Sequence, residues 1–136
     1  MKTKYDVVVI GFGKAGKTLA AKLSKAQKSV ALIEKDADMY GGTCINVGCI
    51  PSKRLITDAQ SSPKGDFPAK EEYYKNTIEE KKKLTAALRK ANYDKLIQAG
   101  VDIIDGTATF TDEHHINVLT KEGVVGIEGT EFIINT

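Results

Sequence analysis

Residues Tyr5 to Gly16 constrain the fold more than any other stretch of this chain. Tyr5 to Ile10 ends in the apolar run Val-Val-Val-Ile, hydrophobic on both faces as a buried parallel strand must be. Gly11-Phe12-Gly13-Lys14-Ala15-Gly16 follows, and Lys17 to Ala26 predicts a helix with Leu19, Ala20 and Leu23 on one face. Val30 to Ile33 is a second apolar strand, closing on Glu34. The order is a βαβ unit whose first turn carries a G-x-G-x-x-G pattern. In such a unit Gly11 permits the tight turn, Gly13 lets a pyrophosphate approach the backbone, and Gly16 lets helix and strand pack closely. The free N–H groups and dipole of the helix then hold the phosphates. Glu34, 18 positions after Gly16, stands where the acceptor of a ribose 2′-hydroxyl belongs, and its charge disfavours a 2′-phosphate. A glycine turn in a nucleotide-free α/β protein is the plainer alternative. The strand before it, the helix after it and the acid beyond favour a dinucleotide, and FAD and NAD share the pattern.

The second constraint is Gly41 to Lys53, Gly-Gly-Thr-Cys-Ile-Asn-Val-Gly-Cys-Ile-Pro-Ser-Lys, which holds both cysteines, Cys44 and Cys49. Their spacing is too wide for one helical turn and short enough for a bend to bring the sulfurs together. Pro51 suits an early helix position, so a helix is expected to start beside Cys49. Its positive end, with Lys53 one turn on, favours a thiolate at Cys49. On spacing alone, half a zinc site or two unrelated thiols would serve as well. With no second cysteine pair and with His114 and His115 far off, a closed zinc site would need carboxylates.

Taken whole, with its glycines, Asn46 and Pro-Ser-Lys, the segment resembles the redox-active segment of the flavin-dependent pyridine nucleotide-disulfide oxidoreductases, the family of lipoamide dehydrogenase, glutathione reductase and mercuric reductase. The resemblance implies a Rossmann-like α/β FAD-binding domain, with a central parallel sheet, flanking helices and a β-meander crossover. It makes the first βαβ unit the FAD grip, Cys44 the interchange thiol and Cys49 the flavin-side, charge-transfer thiol. It brings Lys35, Gly42, Thr43 and Gly48 to the cofactor and sets Lys53 near the flavin ring. In Gly106-Thr-Ala-Thr-Phe110 it places Gly106 and Ala108 against the adenine. Tyr93 falls one residue from where glutathione and mercuric reductases carry an active-site tyrosine, and an ordinary packing role serves it equally. Gly-Phe-Gly-Lys-Ala-Gly-Lys and Met-Tyr-Gly-Gly-Thr-Cys-Ile-Asn look most like a bacterial subgroup associated with reactive-chlorine resistance and metal-ion reduction.

Elsewhere the chain reads as scaffold. A helix from Cys49 to about Gln60 has Leu55, Ile56 and Ala59 as its expected inner face. Ser61 to Ala69, with two of the three prolines, reads as a flexible loop. A long helix from about Lys70 to Ala99, with a break near Asn92, places Tyr74, Ile78, Leu84, Leu88 and Ala91 at helical spacing, and Lys81 to Lys83 on a solvated face. Val101 to Asp105 is a third strand. Gly106 to Phe110, His115 to Leu119 and Val124 to Ile127 form a meander beside exposed histidines, and Glu131 to Asn135 is a separate last strand.

A length of 136 residues supports one domain, and a formal charge of +2 gives no reason to expect nucleic acid as a partner. No stretch has the length of a bilayer span or a secretory leader, which points to a cytoplasmic protein without a membrane partner. Two cysteines do not make a disulfide scaffold, so any bridge between them is there to be broken. By resemblance the chain is the N-terminal FAD-binding domain of a longer, homodimeric oxidoreductase, the NAD(P)-binding and dimerisation domains lying outside it. NADH or NADPH would be the electron donor, and a small molecule, a disulfide or a metal ion the acceptor. The rival expectation is a flavin-binding thiol redox sensor or partner module without turnover.

Overall fold

The computed structural model describes residues 2–136. The βαβ unit forms as the sequence predicts. Strand β1 (Lys4–Ile10) leads through the glycine turn into helix α1 (Lys14–Lys25), and β2 (Val30–Glu34) follows. A 3-10 turn (Ala37–Met39), a single-turn helix α2 (Thr43–Asn46), α3 (Cys49–Gln60) and the 32-residue α4 (Phe67–Gln98) come next. Strands β3 (Asp102–Asp105), β4 (Thr107–Phe110), β5 (His115–Thr120) and β6 (Gly123–Ile134) complete one sheet of order β3-β2-β1-β6-β5-β4. The β1–β2, β2–β3 and β1–β6 pairings are parallel, and β4–β5–β6 form an antiparallel meander.

Two apolar layers hold the sheet. Val7, Val9, Val30 and Leu32 pack with Phe12, Ala20, Leu96 and Val101 on the helical side. On the other side Tyr5, Val8, Ala31, Ile33 and Ile104 pack with Ile116, Val118 and Ile127, so the meander folds back over the sheet and covers it. Both faces of the parallel strands are therefore buried, as their unbroken apolar runs require.

Four expectations need correction. The strands expected at Val124 to Ile127 and Glu131 to Asn135 are one strand, β6, whose first half pairs antiparallel with β5 and whose second half pairs parallel with β1. Gly129 marks no break: it lies where a Cβ would meet the Phe132 ring at 2.8 Å and Val8 at 2.9 Å. Helix α4 runs unbroken through Asn92, because the side-chain oxygen that could cap a new helix start there is taken by Lys17 at 2.6 Å, while its amide N–H donates one turn back to Leu88 O at 2.7 Å. Its start is earlier than expected, at Phe67 within the expected loop, where Asp66 caps Ala69 N–H at 3.2 Å. The inner faces also differ in detail. Leu19, Ile56, Ala59, Tyr74 and Ala91 are exposed, whereas Thr77, Thr85 and Leu96 are the buried positions of α4.

Candidate functional site

The carboxyl ends of β1, β2 and β6 open on a cavity of about 350 Å³, within the range of small-molecule sites. Of the residues singled out in the sequence, Gly11, Gly13, Glu34, Lys35, Gly42, Thr43, Gly106 and Ala108 line it, together with Met39, Asn135 and Thr136. The glycine turn and the strand ends thus meet residues from the cysteine segment and the meander at one place.

Glu34 is buried, with 8% exposure, and its two carboxylate oxygens accept the main-chain N–H groups of Phe12 (2.9 Å) and Asp36 (3.2 Å). It therefore fastens the glycine turn to the end of β2 while still facing the cavity. Gly42 adopts φ +83°, and a Cβ there would meet Gly13 Cα at 2.9 Å and Phe12 O at 3.0 Å. The two glycine motifs touch, and only glycine at position 42 lets the backbones come so close, whereas a Cβ at Gly13 would instead meet Asn135. Gly16 does its packing within the fold, where a Cβ would press on Val9 at 2.8 Å. Gly106 likewise lies tight against β5, a Cβ there being 2.6 Å from Leu119 O.

The dithiol lies beside the cavity rather than in its wall. Cys44 follows Thr43 in α2 and is half-buried; Cys49 is the first residue of α3 and is exposed. Both thiols are free, and Gly48 between them is the N-cap of α3. A hydrogen bond with Cys49 pushes the Cys44 thiol above its ordinary range, burial and the nearness of Cys49 add to the rise, and the Lys14 and Lys17 ammonium groups oppose it. Lys53 is exposed on α3 and lies outside the cavity lining, as do Gly16, Gly48 and both cysteines.

Helix α4 braces this segment. Asn46 donates to Tyr40 O and Gly42 O, each at 3.0 Å, and Arg89 reaches Asn46 Oδ1 at 3.4 Å and Asp38 O at 3.3 Å. Tyr93 is a packing residue here. Its ring centroid lies 5.0 Å from that of Tyr40, which in turn lies 5.2 Å from Phe12. Lys17 donates to Gly41 O at 2.9 Å and to Asn92 Oδ1 at 2.6 Å. The contacts of Lys17 and Arg89 with the cysteine segment, and of Lys17 with Asn92, carry no local sequence signal, because the partners are many residues apart. Asn135 was also missed as a site residue, and its Nδ2 is buried with no hydrogen-bond partner beside Gly13 and Gly16. His114 and His115 are exposed as expected, with His115 Nδ1 2.8 Å from Asp112.

The fold and this cavity are those of a dinucleotide-binding α/β domain carrying a dithiol at its edge. The chain belongs to the pyridine nucleotide-disulphide oxidoreductase family, whose model matches residues 5–132. It is 46% identical over 134 residues to the probable pyridine nucleotide-disulfide oxidoreductase RclA of Escherichia coli K12, an alignment that covers 98% of this chain and 28% of that protein. It is 32% identical to the mercuric reductase of Streptomyces lividans, over 98% of this chain and 30% of the relative. A solved Cu(II) complex of the HOCl-induced flavoprotein disulfide reductase RclA from Escherichia coli superimposes with a TM-score of 0.87 at 46% identity, covering 99% of this chain and 29% of that one. The chain thus spans under a third of the length of these relatives. Flavoprotein disulfide reductases of this family are enzymes that use FAD and NAD(P)H.

The residues present fit FAD. The cavity meets Gly11 and Gly13 of the glycine turn, the N-terminus of α1, a buried acid at the end of β2, and a buried amide N–H group that lacks an acceptor. These are the donors and the room that a pyrophosphate and a ribose require.

Proposed function

We propose that this chain is the FAD-binding, dithiol-bearing part of a homodimeric, cytoplasmic NAD(P)H-linked oxidoreductase, with Cys44 and Cys49 as its redox pair. The observation that supports it best is the contact of Gly42 with Gly13, which ties the dithiol segment to the nucleotide turn. Gly11 and Gly13 admit the pyrophosphate, Glu34 takes the ribose, Lys35, Gly106 and Ala108 border the adenosine, and Gly42 and Thr43 lead on toward the cysteines. FAD held by these residues would supply two-electron redox chemistry beside the Cys44–Cys49 pair. Gly48 caps α3 and sets Cys49 at its first position, with Lys53 one turn on, so that sulfur is the one on the flavin side.

The chemistry of the pair then follows from its two sulfurs. With a disulfide acceptor, the Cys44 thiolate attacks one acceptor sulfur and expels the other as a thiolate, which takes up the proton that Cys44 gave up. Cys49 next attacks Cys44, releasing the second thiol and leaving the Cys44–Cys49 disulfide. With a metal-ion acceptor, the dithiol gives one electron to each of two copper(II) ions, forming two copper(I) ions, the disulfide and two protons. Copper(II) is the first acceptor to test, because one of the similar solved structures is described as a Cu(II) complex, and thiolates favour copper(I).

The test is NADH or NADPH oxidation by the full-length protein with copper(II) or with a small disulfide, compared with Cys44→Ser and Cys49→Ser. Turnover with either acceptor that falls to background in both variants supports the enzyme. Bound flavin with no acceptor-dependent turnover favours a redox sensor or partner module instead.

A further inference from the structure

We propose that Lys17 is a positioning residue for the dithiol, its ammonium clamping Gly41 to helix α4 and standing as the counter-charge to an ionised Cys44. The clamp is defined at both ends. Lys17 lies one turn into α1, its own N–H bonded to Gly13 O at 3.1 Å, so it starts from the nucleotide turn. Its Nζ donates to Gly41 O at 2.9 Å and to Asn92 Oδ1 at 2.6 Å. The Asn92 amide has one orientation that serves both contacts, since its Nδ2 donates to Leu88 O at 2.7 Å while its oxygen faces the ammonium. Three elements are thereby pinned at one nitrogen, three residues before Cys44.

Lys17 is half-buried, and among the described residues it pairs with no carboxylate. Partly buried cations ordinarily have an anionic partner. Burial draws this ammonium below its ordinary range, the Cys44 sulfur holds it up, and Lys95 and Lys14 add to the fall. Reciprocally, Lys14 and then Lys17, both from α1, favour the Cys44 thiolate against the Cys49 hydrogen bond from α3 and against burial. From α4, Arg89 reaches Asn46, two residues beyond Cys44, and is itself paired with Asp38. The anion that Lys17 lacks in the resting dithiol is the one that Cys44 becomes when it reacts.

The proposal rests on the reading of Cys44 as a reactive thiol, and the experiment separates the two. In the intact protein carrying Cys49→Ser, alkylation of Cys44 by iodoacetamide is followed against pH by peptide mass spectrometry, with Lys17 unchanged and as Lys17→Met or Lys17→Arg. Loss of the cation is expected to move the Cys44 profile to higher pH and to slow alkylation about threefold at neutral pH. Lys17→Arg is expected to retain the parent profile. Should Lys17→Met fail to fold, Asn92→Leu carries the test: it keeps the charge but releases its anchor, and should shift the profile the same way. A Lys17→Met or Asn92→Leu profile that superimposes on the parent overturns the role of Lys17, as does a Lys17→Arg profile that matches Lys17→Met. A Cys44 that resists iodoacetamide at every pH in the parent overturns the reactive-thiol reading itself, and the role of Lys17 with it.

Discussion

Glu34 at the end of β2 accepts the main-chain N–H of Phe12, in the middle of the glycine turn, at 2.9 Å. One acid thus shapes the glycine turn and faces the cavity. Glu34→Ala removes the partner of a buried N–H group, and such a loss costs about 1–3 kcal/mol. Chemical denaturation of the variant should show that loss, and its FAD content should fall with it. Glu34→Gln, which keeps an acceptor oxygen, should lose less stability.

Gly42 and Gly123 both adopt positive φ, yet they should respond differently to alanine. At Gly42 the added Cβ meets backbone atoms of Gly13 and Phe12 at 3.0 Å or less, whereas at Gly123 nothing lies within 4 Å. Gly123→Ala should therefore cost only the local conformational strain, about 1–3 kcal/mol. Gly42→Ala should cost more, because two backbone segments must also part. Thermal melts of the two variants check the order, and flavin retention should fail in the first alone.

Asp6 clamps the start of β2, accepting from Ser29 N at 2.7 Å and Ser29 Oγ at 2.8 Å. The main-chain N–H of Ser29 first, then its hydroxyl, hold the carboxyl below its ordinary range. A depressed carboxyl stabilises the fold above its unfolded pKa and loses that contribution as pH falls through its folded one. Acid titration of stability should accordingly be shallower for Asp6→Asn than for wild type across and below the ordinary carboxylate range. Coincident acid profiles would contradict the clamp.

Leu32 and Ile116 are fully buried in opposite layers of the core. Each should lose about 2–5 kcal/mol on truncation to alanine. Because the layers lie on opposite faces of the sheet, the two losses should add in the double variant, as calorimetry or denaturant titration would show.

The parts of this molecule that are written in contiguous residues could be read from the sequence. The run Val7 to Ile10, the glycines after it and Glu34 lie within one βαβ unit, and the periodicities and turn chemistry that define it are local. Cys49 stands at the start of α3 because Pro51 and its neighbours set that boundary locally. What escaped depends on distant partners. Strand β6 is continuous because β1 takes over its pairing where β5 leaves it, and α4 runs through Asn92 because Lys17, 75 positions earlier, occupies the amide. The inner face of α4 differs from the expected one for the same reason. It carries the polar Arg89, Asn92 and Thr85 toward the cysteine segment and the fold, and polar residues leave no hydrophobic period to count.

The most direct measurement is the absorbance spectrum of the full-length protein, recorded oxidised and then after reduction by NADH or NADPH, beside Cys49→Ala. Wild type should show a flavin spectrum that gains a long-wavelength charge-transfer band on reduction, with two new titratable thiols, and Cys49→Ala should gain neither. Flavin that is reduced without the band and without new thiols would contradict the assignment of Cys44 and Cys49 as the redox pair.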